Sequence, residues 1–411
     1  MSAHPTDRQP STSDAFSFEV LRRFPDLEAD NLVAVDATDR LVLSEAAAAL
    51  DADGAREVAR QGTVVVVGDH YGAMTLGAIG LHGAVDVRVH QDSLTGEQAL
   101  AHNAVRAGTA AGFRHLPLTP ELFAGASVVI GQLPKSLDAL REISQLVAAR
   151  GDDNVRVFLG GRVKHMTHAM NDVLGASFAD VRASLAHQKS RVLIAGRPRQ
   201  IREATAYPLQ QHHLDLDLWV CAHGAAFAGT KIDIGTRFLL EFLDRMNPEA
   251  TAAVDLGCGT GVIAAALVKS RPGLRMLATD ESAAAVSSAL ATMAANGLSE
   301  RVTVLRDDAM STLDDASADL IVCNPPFHRG TAVHSNASVK LFQAAGRVLR
   351  PGGQLWTVFN SHLPYGSQLT RAVGQTRVVG RNPKFTVTVS TRSAQDPPRQ
   401  SWSGRKATSQ R

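Results

Sequence analysis

Cys323-Asn324-Pro325-Pro326-Phe327-His328 sets an amide side chain, a rigid diproline and an aromatic ring at the end of an apolar run. An exocyclic amino nitrogen on a purine is a poor nucleophile, because its lone pair is delocalised into the ring. The Asn324 carboxamide oxygen and the Pro325 carbonyl form a pair of acceptors for its two N–H bonds. Accepting them draws the nitrogen toward tetrahedral geometry and returns electron density to it, so no strong base is needed before attack. Two successive prolines fix the backbone that aims the acceptors. Phe327 offers a face on which a base stacks, worth about 1–3 kcal/mol. Taken alone, a Pro-Pro turn beside a core phenylalanine would read the same way, and His328 and His334 read more simply as binding or packing residues than as bases.

A glycine loop, Asp255-Leu256-Gly257-Cys258-Gly259-Thr260-Gly261, closes 63 residues before Asn324, between an apolar run and a helical pattern. Such a loop lets a cofactor approach the backbone at the carboxyl edge of a parallel sheet. Its spacing is Gly-x-Gly-x-Gly, whereas pyrophosphate-binding folds carry Gly-x-Gly-x-x-Gly, so a cofactor without phosphates is favoured. Asp280 ends the next strand, in position to accept both ribose hydroxyls. Asp307-Asp308-Ala309 ends the one after, placing Asp308 against an adenine amino group with Ala309 beside it. Lys231-Ile232-Asp233-Ile234-Gly235-Thr236-Arg237 opens an apolar helix; Thr236 there either closes over the cofactor or belongs to a capped helix start with no ligand. With Asp255 at the mouth of the loop, these are the candidate cofactor residues. Together the two motifs imply methyl transfer to a base nitrogen, and no metal site is indicated.

The elements that must position these residues occur twice. Gly72, after Val64–Val67, faces Gly261 at an offset of 189; Asp92 faces Asp280 at 188, Asn103 faces Asn296 at 193, and Gln132 faces Asn324 at 192. Four landmarks at a nearly constant offset indicate duplication. Short apolar strands alternate with helical patterns at 93–106, 136–150, 261–270 and 282–297, which predicts an α/β chain of two tandem Rossmann-like domains with parallel sheets covered on both faces. The copies differ where chemistry is expected: His70 replaces Gly259, and Gln132-Leu133-Pro134-Lys135 replaces the Asn-Pro-Pro-Phe stretch. The N-terminal copy is therefore expected to be degenerate. Predicted divisions are a disordered tail at 1–14, the degenerate domain at 15–205, the catalytic domain at 206–395 and a basic disordered tail at 396–411.

With 411 residues, 45% hydrophobic composition and 20% charge, the chain is an ordinary globular protein large enough for two cores. Of its formal net charge of +2, the last sixteen residues carry +3, either a solvated terminus or an electrostatic arm for nucleic acid. Three separated cysteines give neither a disulfide framework nor a zinc pattern. No signal peptide or membrane-spanning run is evident, so a cytoplasmic protein without a membrane partner is expected.

Asp-Leu-Gly-Cys-Gly-Thr-Gly with Val262-Ile263, Asp280-Glu281-Ser282 and Cys-Asn-Pro-Pro-Phe-His resemble class I S-adenosylmethionine-dependent methyltransferases of the ribosomal RNA guanine-N2 family, specifically the RsmC/RlmG group. The likeness extends to Lys231–Arg237, Asn360–Tyr365 and Asn382–Val387, and covers roughly 15–395. In the first domain, Gly68–Ala73 and Leu133–Ser136 look closer to the large-subunit member. The resemblance implies transfer of a methyl group from S-adenosylmethionine to N2 of a guanosine in 23S rRNA, with 16S rRNA as the alternative, by a monomer. Gly257, Gly259, Gly261, Asp280 and Asp308 would hold the cofactor, and Asn324, Pro325 and Phe327 the guanine. Phe385, Phe227 and Tyr365 are candidate second walls of the pocket, and Lys135, Arg162, Lys164 and Lys189 a candidate RNA surface. N6-adenine and protein-glutamine methyltransferases share Asn-Pro-Pro-aromatic and stay open, as does an RNA-binding pseudoenzyme assisting ribosome assembly.

Overall fold

A computed structural model describes residues 16–54, 63–109, 112–200, 206–326 and 332–393. Both predicted tails, Phe327 and His328 lie outside the described residues, as does the side chain of His334. The chain divides into two compact units, and the expected boundary at 205–206 adjoins 201–205, which is also outside them.

The first unit is built on β1 (Val64–Val67), β2 (Val87–His90), β3 (Phe113–His115), β4 (Val128–Gln132), β5 (Arg156–Arg162), β6 (Phe178–Ala183) and β7 (Ser190–Pro198). In the second, a hairpin of β8 (Leu209–His213) and β9 (Leu218–Ala222) precedes β10 (Ala252–Leu256), β11 (Arg275–Asp280), β12 (Val302–Arg306), β13 (Ala318–Cys323), β14 (Leu349–Asn360), β15 (Gly374–Arg381) and β16 (Phe385–Arg392). The sheets have the same order, β3-β2-β1-β4-β5-β7-β6 and β12-β11-β10-β13-β14-β16-β15. Helices fall at 94–106, 137–150, 262–270 and 283–295, each within two residues of the predicted bounds.

Parallel strands covered on both faces should be apolar without alternation, and β1 is buried at all four positions. In the second unit the two faces separate cleanly. Ala253, Leu320 and Val322 join Val262, Leu267 and Trp356 in one core, while Val254, Leu256, Ile321 and Cys323 join Phe342, Leu355 and Phe359 in the other.

The expectation of parallel sheets fails at one edge of each. β7 runs antiparallel between β5 and β6, and β16 antiparallel between β14 and β15. The cause is connection length. β15 ends at Arg381 and β16 begins at Phe385, too short a link for the crossover that a parallel pair needs.

Candidate active site

In an open parallel sheet, ligands bind beyond the carboxyl ends of the strands where the strand order reverses. Here that point lies between β10 and β13. Leu256 is in register with both Cys323 and Thr279, and Asp280 with Arg306. The glycine loop, Asp280, Asp307-Asp308 and Asn324 therefore all leave the sheet at one edge.

Gly257 and Gly259 take positive φ angles of 72° and 53°, and a Cβ built on either meets nothing within 4 Å among the described residues. The backbone is thus bare toward open space, as close approach of a ligand requires. Gly261 differs, since a Cβ there would lie 2.8 Å from Met293 Cε; it lets the helix Val262–Ser270 pack against Ala283–Ala295. Asp280 Oδ2 accepts from the Gly259 N–H at 3.0 Å and Oδ1 from the Ser282 N–H at 3.0 Å, fixing the carboxylate beside the loop. Burial raises its pKa.

Asp255 sits beneath the loop and not in the open space. It is fully buried, and Oδ2 accepts from the Ala264 N–H at 3.0 Å while Oδ1 has no partner among the described residues. Burial pushes its pKa up to about 7. It ties the loop to the following helix, so its geometry is that of a support for the cofactor residues. Asp307 is likewise inward, taking the N–H and hydroxyl of both Ser311 and Thr312. Asp308 is partly exposed and ion-paired with Lys340, and Ala309 beside it is buried at φ 55°.

Two hydrogen bonds hold the Asn324 side chain at this edge. Its Nδ2 donates to Thr236 Oγ1 at 2.9 Å and to Asp233 Oδ2 at 3.2 Å, while its buried Oδ1 has no partner among the described residues. A carboxylate only accepts, so the amide end facing Asp233 must be the NH2, and the oxygen points the other way. Thr236, expected at the cofactor, is thus bound to Asn324. Pro325 is buried and Pro326 exposed. Of the three aromatic candidates for a second wall, Tyr365 packs on Phe342 and Phe359 with its hydroxyl on Ser338, and Phe385 is buried in the core. Phe227 alone is open, 66% exposed. Asp233 carried no assignment from sequence, although its place at a helix start was a signal that it accepts hydrogen bonds.

The first unit shows the same edge without the bare loop or the Asn-Pro-Pro motif. His70 takes the left-handed conformation of Gly259, at φ 52°, with a side chain where that loop is bare. Gln132, the counterpart of Asn324, donates from Nε2 to Asp39 Oδ1 at 2.7 Å.

A glycine loop after the first strand of the sheet, an acidic residue after the second, Asn-Pro-Pro after the fourth and a final antiparallel strand define a class I S-adenosylmethionine-dependent methyltransferase. Residues 217–389 match the methyltransferase small domain and residues 10–200 the RLMG N-terminal domain. The chain is 35% identical over 376 residues to ribosomal RNA large subunit methyltransferase G of Streptomyces coelicolor, covering 90% of this chain and 96% of that one. It is 31% identical over 378 residues to the protein of the same name from Shewanella amazonensis, covering 89% and 94%. The chain belongs to the ribosomal RNA large subunit methyltransferase G family. A T. thermophilus 16S rRNA N2 methyltransferase, RsmC, solved with AdoMet and guanosine, shares the fold with a TM-score of 0.66 at 20% identity, over 87% of this chain and 92% of its own.

Proposed function

We propose that this enzyme methylates the exocyclic N2 of a guanosine in 23S ribosomal RNA, acting as a monomer in the cytoplasm. The observation that carries the proposal is the buried oxygen of Asn324, without a partner among the described residues, a hydrogen-bond acceptor at a sheet edge that also bears a bare glycine loop. An unsatisfied buried acceptor costs about 1–3 kcal/mol, and a bound amino group removes that cost. Ribosomal RNA, and the large subunit in particular, is supported by the names of the relatives.

The residues fit the cofactor. Gly257 and Gly259 leave the room, and Asp280 turns a fixed carboxylate toward it. Bound there, S-adenosylmethionine supplies an electrophilic methyl group. Asp280 would take the ribose hydroxyls and Asp308, with Ala309, the adenine edge. Asn324 Oδ1 and the Pro325 carbonyl would accept the two N–H bonds of the guanine amino group, holding it and raising its nucleophilicity. Phe327 would carry the base on its face, with Phe227 free to cover the opposite side. Asn324 takes no proton in this scheme; the one released from the methylated nitrogen passes to solvent. RNA loops expose such a base at little cost. On the first unit, exposed Arg162, Lys164 and Lys189 are brought together, with the Val163 N–H donating to the Lys189 carbonyl at 2.9 Å, and would contact phosphates.

Incubation with labelled S-adenosylmethionine and separate protein-free 16S and 23S transcripts, followed by nucleoside analysis, tests the proposal. N2-methylguanosine in 23S rRNA is expected. Label in 16S rRNA alone, or N6-methyladenosine as product, would overturn it.

A further inference from the structure

We propose that Asp233, assisted by Thr236, is a positioning residue that sets the catalytic amide of Asn324 oxygen-outward. The inference rests on the reading of Asn324 as the acceptor for the substrate amino group.

A carboxamide can present either end to a substrate. Only the oxygen helps here, because an NH2 facing the guanine amino group would set donor against donor. The Thr236 hydroxyl cannot decide between the two ends, since it both donates and accepts. Asp233 can. Its Oδ2 accepts from the Gly235 N–H at 2.8 Å, from the Thr236 N–H at 3.2 Å and from Asn324 Nδ2 at 3.2 Å. Turning the amide over would bring its oxygen against that carboxylate oxygen. The helix start holds the carboxylate in place, and Gly235 leaves room for it, since a Cβ there would lie 2.9 Å from Asp233 Oδ2 and 3.1 Å from the Phe385 ring.

The same device survives in the first unit, where Asp39, in the first turn of the helix Ala37–Gly54, receives the Gln132 amide. An amide–carboxylate pair retained without the cofactor loop has structural value as well. The test must therefore read something that a purely structural role leaves unmoved.

Four variants separate the two in single-turnover methylation of 23S rRNA with saturating cofactor. Asp233→Ser keeps a helix cap but falls short of Asn324, and Thr236→Val removes the second acceptor without touching the cap. Asp233→Ser is expected to lower the transfer rate by about tenfold, the scale of a lost hydrogen bond to a charged group, and Thr236→Val, which removes a neutral partner, by about fivefold, with cofactor affinity near wild type. Asp233→Asn and Thr236→Ser, which restore an oxygen at each position, are expected to recover most of the rate. In an Asn324→Ala background, Asp233→Ser and Thr236→Val should cost nothing more. Wild-type rates in Asp233→Ser and Thr236→Val, or an equal further loss in the Asn324→Ala background, would overturn the inference. Should Asp233→Ser fail to fold, Asp233→Gly, which is also tolerated at a helix N-cap and has no acceptor for Asn324, decides in its place. A wild-type enzyme that forms no N2-methylguanosine would instead overturn the reading of Asn324 itself.

Discussion

Asp255 carries one satisfied oxygen and one without a partner among the described residues, in a fully buried place, which suits a neutral acid better than a carboxylate. Its pKa of about 7 lies above the ordinary 3.8 because burial disfavours the charge. Below about pH 3.8 the acid is neutral in both folded and unfolded chains. Between there and about pH 7 only the folded chain keeps the proton, so its contribution to stability falls as pH rises, by up to about 1.4 kcal/mol per unit. Asp255→Asn has no such proton. Denaturant unfolding at pH 4.5 and 6.5 should show wild type losing up to about 2–3 kcal/mol relative to the variant over that interval; parallel pH profiles would contradict it. Sequence alone identified Asp255 but not its position, because a residue opening a glycine loop can face the ligand or the core. Asn324 could be singled out from sequence because its neighbours constrain its chemistry. Asp233 could not, since its partner lies 91 positions away and only the fold brings them together.

At the scale of elements, the glycine loop separates folding from binding. Gly259→Ala should cost about 1–2 kcal/mol of stability, for a side chain in a left-handed conformation. The new methyl group points into space that the protein leaves empty. Cofactor affinity should fall by at least about tenfold, the equivalent of about 1.4 kcal/mol, and calorimetry should give one cofactor per wild-type chain. A stoichiometry of two, or unchanged affinity in the variant, would contradict the assignment of the second loop as the cofactor site. The duplication was legible because its landmarks are structural. Asn103 grips the main chain of Arg22 through Oδ1 at 2.9 Å and Nδ2 at 2.8 Å, and Asn296 grips Trp219 in the same way at 3.0 and 2.7 Å. The antiparallel last strands and the hairpin β8–β9 were not legible. Their direction follows from link lengths that show only once strand ends are known.

At the scale of the whole molecule, one unit retains the fold and has lost the glycine at His70 and the amide–proline motif at Gln132. Arg162, Lys164 and Lys189 are exposed on it, Arg162 pairing with Asp36 at 3.4 Å. Replacing Arg162, Lys164 and Lys189 together by Glu should weaken RNA binding and lower the magnitude of its salt slope by about 0.7–0.9 for each phosphate that is no longer neutralised, leaving cofactor affinity unchanged. An unaltered slope would place the RNA elsewhere. The proposed reaction turns on Asn324, whose amide oxygen has no partner among the described residues. Its most direct test is the single-turnover rate of methyl transfer to 23S rRNA by wild type and Asn324→Ala, with cofactor affinity measured on both. The expected result is N2-methylguanosine formed by wild type and a rate about 10²–10³ lower in the variant at equal cofactor affinity. A variant that methylates as fast as wild type would contradict the account.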